Sequence, residues 1–301
     1  MLFFKKRKIL ITHSGGFHAD DLFATAVLLI LNKGNVKIIR TRDPEIIAQG
    51  DYVYDVGGIY DPEKNRFDHH QTSGAGSRKN GIEYSSFGLV WKKFGEKLCG
   101  SKEAMEIVNN KLATPVDAND NGIDLYKSNF ENIFPYTVCN VLSIFSPTAL
   151  ENMDQDMQFF KALIWAKEIL KREIKKANDQ IEIIKIIQNF YKNSNDKRLV
   201  VIDAPKVSRY DIQDALQNFS EPLFAIYSTA DEWRIVALSS DYKFFKNRKD
   251  FPKAWAGLRD QELQNISGVS DAIFCHRKLF LVGVKTKEGA IKLAELALNL
   301  S

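Results

Sequence analysis

The feature that most constrains the fold is an alternation of short apolar runs with amphipathic ones over residues 8–58. KILIT (8–12) reads as a short buried strand. Residues 20–32 repeat apolar side chains on successive helical turns, at Leu22, Phe23, Ala26, Val27, Leu29 and Ile30, and stop before Gly34. Residues 36–41 read as a second strand. DPEIIAQG reads as a short helix with proline in its first turn and glycine after its end. YVYDVGG reads as a third strand running into a glycine turn. Strand, helix, strand, helix, strand predicts an α/β fold with a doubly wound parallel sheet. Such sheets collect ligands at the carboxyl ends of their strands.

Beyond that unit, IYDPEKNRFDHHQ reads as a hairpin turning at PEKN. Ser85 or Ser86 can cap a helix reaching Cys99, and a further helix covers roughly residues 102–118. Residues 158–192 read as long helix. The polar NSNDK at 193–197 is taken as the boundary, giving domains 1–195 and 196–301. The second domain reads as a smaller α/β unit. Its strands are RLVVID, PLFAIYS and EWRIVAL, with helices at SRYDIQDALQNF and near AWAGLRDQELQNI. A hairpin near AIFCHRKLFLVGV and a last helix from Thr286 complete it. Two domains suit a chain of 301 residues, and 45% apolar composition can fill their cores. Trp91, Trp165, Trp233 and Trp255 read as core or domain-interface residues rather than base-stacking platforms.

The net charge of +4 is compatible with a polyanionic substrate without requiring one, and Lys and Arg are scattered rather than gathered in a stripe. Three cysteines lie far apart and read as reduced thiols. The longest apolar run, residues 22–31, is too short for a bilayer, and the basic chain start lacks the apolar stretch and cleavage site of a signal peptide. The expected compartment is the cytoplasm.

Polar chemistry gathers at the predicted strand ends. His13 ends the first strand; His18 and Asp20 follow around a turn containing Gly15 and Gly16. Asp55 ends the third strand. Asp68, His69 and His70 follow the hairpin, and VDANDNG supplies Asp117 and Asp120 at a helix end. Four of the five histidines fall between residues 13 and 70. Each has an ordinary reading: Asp20 and Asp21 favour a helix N-terminus, and His13 suits a core. All of these would have to hold at once, at one edge of one sheet. Carboxylates gathered there repel one another, and divalent cations remove that cost. Imidazole and carboxylate without thiolate favour Mn²⁺, with Mg²⁺, Fe²⁺ or Co²⁺ as alternatives, over structural zinc. The number of candidates suits two cations, the usual machinery for attack of water on phosphorus.

In that order, HxxxxHxD, an aspartate at a strand end, DHH and a later aspartate resemble the DHH phosphoesterase superfamily. THSGGFHADD, YDVGGIYDPEKNRFDHHQ, PVDANDNGI, EWRIVAL, KAWAGLRDQEL and VKTKEGAIKLAE resemble one branch, the Myg family (melanocyte proliferating gene proteins), over nearly the whole chain. The resemblance implies a DHH-type first domain holding the metals and a second domain contacting substrate. Eukaryotic members are regarded as 3′–5′ RNA exonucleases. By position, His13, His18 and Asp55 would hold one ion. Asp20, Asp55, His69 and Asp117 would hold the other, with Asp120 competing for the place of Asp117. His70 would face the phosphate and Asp68 would orient a histidine. Arg248, His276, Lys285 and Thr286 are the substrate candidates, with surface charge the alternative for Arg248 and Lys285. Where the family implies a double-glycine hairpin, this chain has HRKLFLVGVKT.

The leading expectation is therefore a metal-dependent 3′–5′ exonuclease acting on single-stranded RNA or short oligonucleotides, with a homodimer left open. The alternatives are a small-molecule phosphohydrolase using the same centre and a non-catalytic metal-binding regulatory protein. Neither HExxH nor a nucleophile elbow occurs.

Overall fold

Lys8–Thr12 forms strand β1 and is buried along its second half. It lies inside a sheet, where a short apolar run has neighbours on both sides. The computed structural model describes residues 6–204, 206–241 and 246–300; the first five residues of the basic chain start lie outside them. The chain divides into two compact units, residues 1–178 and 179–301.

In the first unit β1 is followed by α1 (Ala19–Leu31), β2 (Val36–Arg40), α2 (Pro44–Ile47) and β3 (Tyr52–Tyr54). The expected hairpin is β4 (Tyr60–Asp61) and β5 (Arg66–Phe67), joined by a tight turn that Asp61 caps. The sheet order is β2-β1-β3-β5-β4, parallel except for β4. The chain leaves β1 to one side for β2 and returns on the other for β3. The strand order therefore reverses at β1, and a crevice opens at the carboxyl ends.

Helix α1 is buried from Ala19 to Leu28. It packs on α3 (Ser86–Cys99), with Phe23 stacked on Phe87 at 5.0 Å between ring centroids. The helix expected over 102–118 has a break: α4 (Lys102–Val108) and α5 (Thr114–Asp120) are joined by a wide π turn at Asn109–Ala113. Pro115 explains it, since proline lacks the N–H that an α-helical bond to residue 111 would use. Helix α6 (Val138–Ser143), capped by Thr137, lies in a stretch without clear periodicity.

Arg40, at the end of β2, donates to the Gly15 carbonyl and pairs with Asp156 at the start of α7 (Gln155–Asn193). It thereby ties down the loop that carries His13 and His18. Helix α7 covers the expected 158–192. The units divide within it, at 178/179, ahead of the polar stretch at 193–197. Its last turns belong to the second unit because Ile187 and Tyr191 enter that core.

The second unit contains β6 (Leu199–Ile202), α8 (Arg209–Leu216), β7 (Phe224–Ser228), β8 (Trp233–Ala237), the small pair β9 (Ser239–Asp241) and β10 (Lys246–Asn247), α9 (Asp260–Ser267), β11 (Ala272–Cys275), β12 (Leu281–Val284) and α10 (Lys287–Asn299). Its main sheet runs β11-β12-β8-β7-β6, with only β6 and β7 parallel. Alternation along β7 serves two cores. Phe224 and Ile226 face α10 residues such as Leu293, while Ala225 and Tyr227 face Ile187 and Ile212. Trp91 and Trp255 are buried as expected, whereas Trp165 is 56% exposed. Among the described residues no helix is long and apolar enough to cross a membrane.

Candidate metal centre

His13, Asp55 and the Asp68–His70 run stand just beyond the carboxyl ends of β1, β3 and β5. Asp55 adopts a left-handed backbone, φ 56°, ahead of Gly57 and Gly58, which also have positive φ. Aspartate tolerates this conformation, and such strain gathers where side-chain direction matters. Here it turns the carboxylate into the crevice. Asp55 Oδ2 lies 3.1 Å from His13 Nε2, and Oδ1 lies 3.4 Å from His69 Nε2 and 3.7 Å from His70 Nδ1. One carboxylate thus faces histidines on both sides. His13 Nδ1 lies 3.2 Å from the Ser14 carbonyl; donation there leaves Nε2 as the free ligand atom.

The N-terminus of α1 adds the next set. His18 is its N-cap residue, and its N–H donates to Asp21 Oδ1. Asp21 Oδ2 lies 3.4 Å from His13 Nε2. Asp20 is 1% exposed, and neither of its carboxylate oxygens has a hydrogen-bond partner. Asp120, at the end of α5, places Oδ2 3.2 Å from His69 Nε2. Three groups result: His13, Asp21 and Asp55; Asp55, His69 and His70; His18, Asp20 and Asp120. Within each, the potential ligand atoms all lie within 4.8 Å of one another.

The charges show strain that a cation would relieve. Burial, then the charges of Asp55 and Asp120, hold Asp20 well above the usual carboxylate range. Burial and Asp55 push Asp21 up to about 8. Burial also raises Asp120, which His69 only partly offsets. Burial acts against ionised Asp55 too, but hydrogen bonds and charges from His13 and His69 outweigh it and hold that carboxyl below its ordinary range. A buried carboxylate with no donor costs several kcal/mol unless it is protonated or bound to metal. Asp20, whose oxygens accept no hydrogen bond, and the oxygen-and-imidazole donor set therefore fit hard or borderline divalent cations.

Asp68 is buried. Its Oδ2 accepts the Gly58 N–H, and its Oδ1 lies 2.7 Å from His70 Nδ1. That arrangement orients His70 and leaves its Nε2 free on an exposed ring. The groups open on a cavity of about 550 Å³, also lined by Arg42, which follows β2.

The structure corrects several sequence assignments. Asp117 does not reach the histidines. It pairs with Arg78 at 2.6 Å and accepts from Ser85 Oγ and the Gly88 N–H, closing the N-terminus of α3. Burial pushes its pKa up to about 6, against Arg78 and those donors. Asp120, the competitor of Asp117 for the ligand place, is the one that stands beside His69. His18 groups with Asp20 and Asp120 rather than with His13 and Asp55. In the second unit, Arg248 is spent on carbonyls after α8, including Phe219 and Pro222. Thr286 caps α10 and donates to Asp271. Lys285 is exposed and stands outside the cavity of about 360 Å³ that His276 lines. Two residues were missed. Asp21 reads as a capping acid until its Oδ2 is seen against His13. Arg42 could have been found from its place just after the second strand.

The family model MYG1_exonuc, described as an uncharacterised protein family (UPF0160), matches residues 9–298. The chain belongs to the MYG1 family. Its relatives include the MYG1 protein of Chlamydia trachomatis, 32% identical over 96% of this chain and 94% of that one. The MYG1 exonuclease of Mus musculus is 32% identical over 95% of this chain and 84% of its own length. That of Homo sapiens is 31% identical over 95% and 85%. These MYG1 matches span both units. A solved RecJ–Mn²⁺ structure from Thermus thermophilus overlays with a TM-score of 0.28 at 11% identity, covering 98% of this chain and 53% of that one, too loosely to bear on function.

Proposed function

We propose that the chain is a divalent-metal-dependent phosphodiesterase, a 3′–5′ exonuclease on single-stranded RNA or short oligonucleotides, with Mn²⁺ as its metal. The observation that carries the metal dependence is Asp20. Its carboxylate is buried and accepts no hydrogen bond, with His69 Nε2 4.0 Å away, beside Asp55, which faces three histidines. The exonuclease names of mammalian relatives support the reaction class.

His13, Asp21 and Asp55 would hold one cation, and His18, Asp20 and Asp120 another, with His69 between Asp55 and Asp120. When bound, the cations would supply Lewis acidity and lower the pKa of water. Asp55 would face His13 with one carboxylate oxygen and His69 and His70 with the other. Arg42 would offset phosphate charge at the cavity wall. His70, fixed through Nδ1 by Asp68, would present Nε2 to the phosphate. Protonated, it would donate from Nε2 to the leaving oxygen or to a non-bridging oxygen; neutral, with its proton on Nδ1 toward Asp68, its Nε2 could only accept.

The test gives metal-free protein reloaded with Mn²⁺ a 5′-end-labelled single-stranded RNA, a dinucleotide and pyrophosphate, with Asp55→Ala in parallel. The expected result is a ladder of shortened labelled RNA from the wild type alone. Cleavage of pyrophosphate alone would move the function to small phosphoesters, which the modest net charge of +4 also suits. No turnover of any of the three would refute the enzymatic reading.

A further inference from the structure

The second unit contains a cavity of about 360 Å³ at the loop joining β11 to β12. This falls in the range of small-molecule sites, roughly 300–1,000 Å³. Among the described residues, the charged side chains that line it are Arg209, Arg277 and Lys278, and no aspartate or glutamate lines it. Arg277 and Lys278 are exposed at the loop tip and form no ion pair among the described residues. The wall beside them is aromatic. The Arg209 guanidinium lies 5.2 Å from the Phe280 ring centroid and 4.6 Å from that of Tyr210. The His276 ring lies 4.4 Å from Phe280.

The loop is pinned by its own backbone. His276 N–H donates to the Leu281 carbonyl, and Leu279 N–H to the His276 carbonyl. The Lys278 N–H donates to His276 Nδ1 at 3.1 Å. In the neutral ring the proton therefore sits on Nε2, available as a donor. Cations without counter-charge mark an anion site, and π faces beside them mark a planar partner. A free phosphate would leave the aromatic wall unused.

We propose that this cavity binds a nucleotide of the single-stranded substrate. The base packs on Phe280 and the Arg209 plane, and the backbone phosphate lies on Arg277 and Lys278. The proposal rests on the nucleic-acid reading above but concerns residues of the second unit, none of which belongs to the metal centre. Sequence-tolerant stacking beside a basic rim is the way single strands are held without reading base identity.

The test measures Kd for a fluorescein-labelled single-stranded RNA on the full chain in EDTA, where turnover is blocked. Phe280→Ala should weaken binding roughly 5- to 100-fold, and Phe280→Trp should restore it. Arg277→Gln with Lys278→Gln should reduce the slope of log K against log salt by about 1.4. With Mn²⁺, all three variants should hydrolyse bis(p-nitrophenyl) phosphate, which has no base, at the wild-type kcat. Unchanged Kd and salt slope would overturn the proposal, as would absence of RNA binding by the wild type. An equal loss on the p-nitrophenyl ester would overturn it in favour of a structural role. Binding without RNA cleavage would refute the exonuclease reading while leaving this site standing.

Discussion

At the scale of single residues, Asp55 and the Asp117–Asp120 pair separate chemistry from structure. Asp55→Ala should lose more activity than the roughly 10–100-fold expected when an outer partner such as Asp68 is removed. Mn²⁺ affinity by calorimetry should fall with it, while circular dichroism stays native. Asp120→Asn should lose metal binding and turnover with little change in melting. Asp117→Asn should do the reverse, costing about 3–5 kcal/mol because Arg78 is left as a buried charge without its counterpart. Chemical denaturation of both variants beside a metal titration checks the pair; loss of metal by Asp117→Asn at unchanged stability would reverse the assignment. The sequence could not make this choice. Both aspartates sit three apart near one helix end, and the deciding residue, Arg78, comes from an irregular loop far upstream. Asp21 was hidden for a related reason, since two acids at a helix start already have a local explanation.

At the scale of elements, the strands and helices that carry His13, Asp55 and His69 were legible because each is a short apolar run bounded by glycine, proline or charge. What was not legible was the join between α3 and α5. Gly88 reads as an unremarkable helix residue. Yet a Cβ there would stand 1.8 Å from Asp117 Oδ2 and 2.9 Å from Arg78 Nη2. Elsewhere in a helix Gly→Ala stabilises by up to about 1 kcal/mol. Here the sign should invert: Gly88→Ala should lower the melting temperature, and removing the clash with Asp117→Ala should make the two effects strongly non-additive. A double-mutant cycle in urea measures that coupling, and simple additivity would remove the claim that glycine serves this contact. The π turn at Asn109–Ala113 could be traced to Pro115. Helix α6 could not, because six residues show too little periodicity to stand out.

At the scale of the whole molecule, the buried carboxylate oxygens without a hydrogen bond, among the described residues, lie in one unit, and so should the response to metal. Mn²⁺ at about a hundredfold over its Kd should add about 2.7 kcal/mol to the stability of the first unit. In scanning calorimetry the first unit's transition should rise with Mn²⁺ and fall with EDTA, with that of residues 179–301 unmoved. Movement of the second transition instead would place the metal elsewhere. The long helix was readable from the periodic run at 158–192. That its last turns join another core was not, since its composition does not change where its allegiance does. The placement of Asp120 has a consequence for biosynthesis. His13, His18, Asp20, Asp21, Asp55 and His69 all leave the ribosome before α5 exists. A nascent chain of that length carries several half-dressed acids and no means to close the set. On the proposed ligand set, the late arrival of one helix end would thus make capture of the full metal complement an event that follows the folding of the sheet.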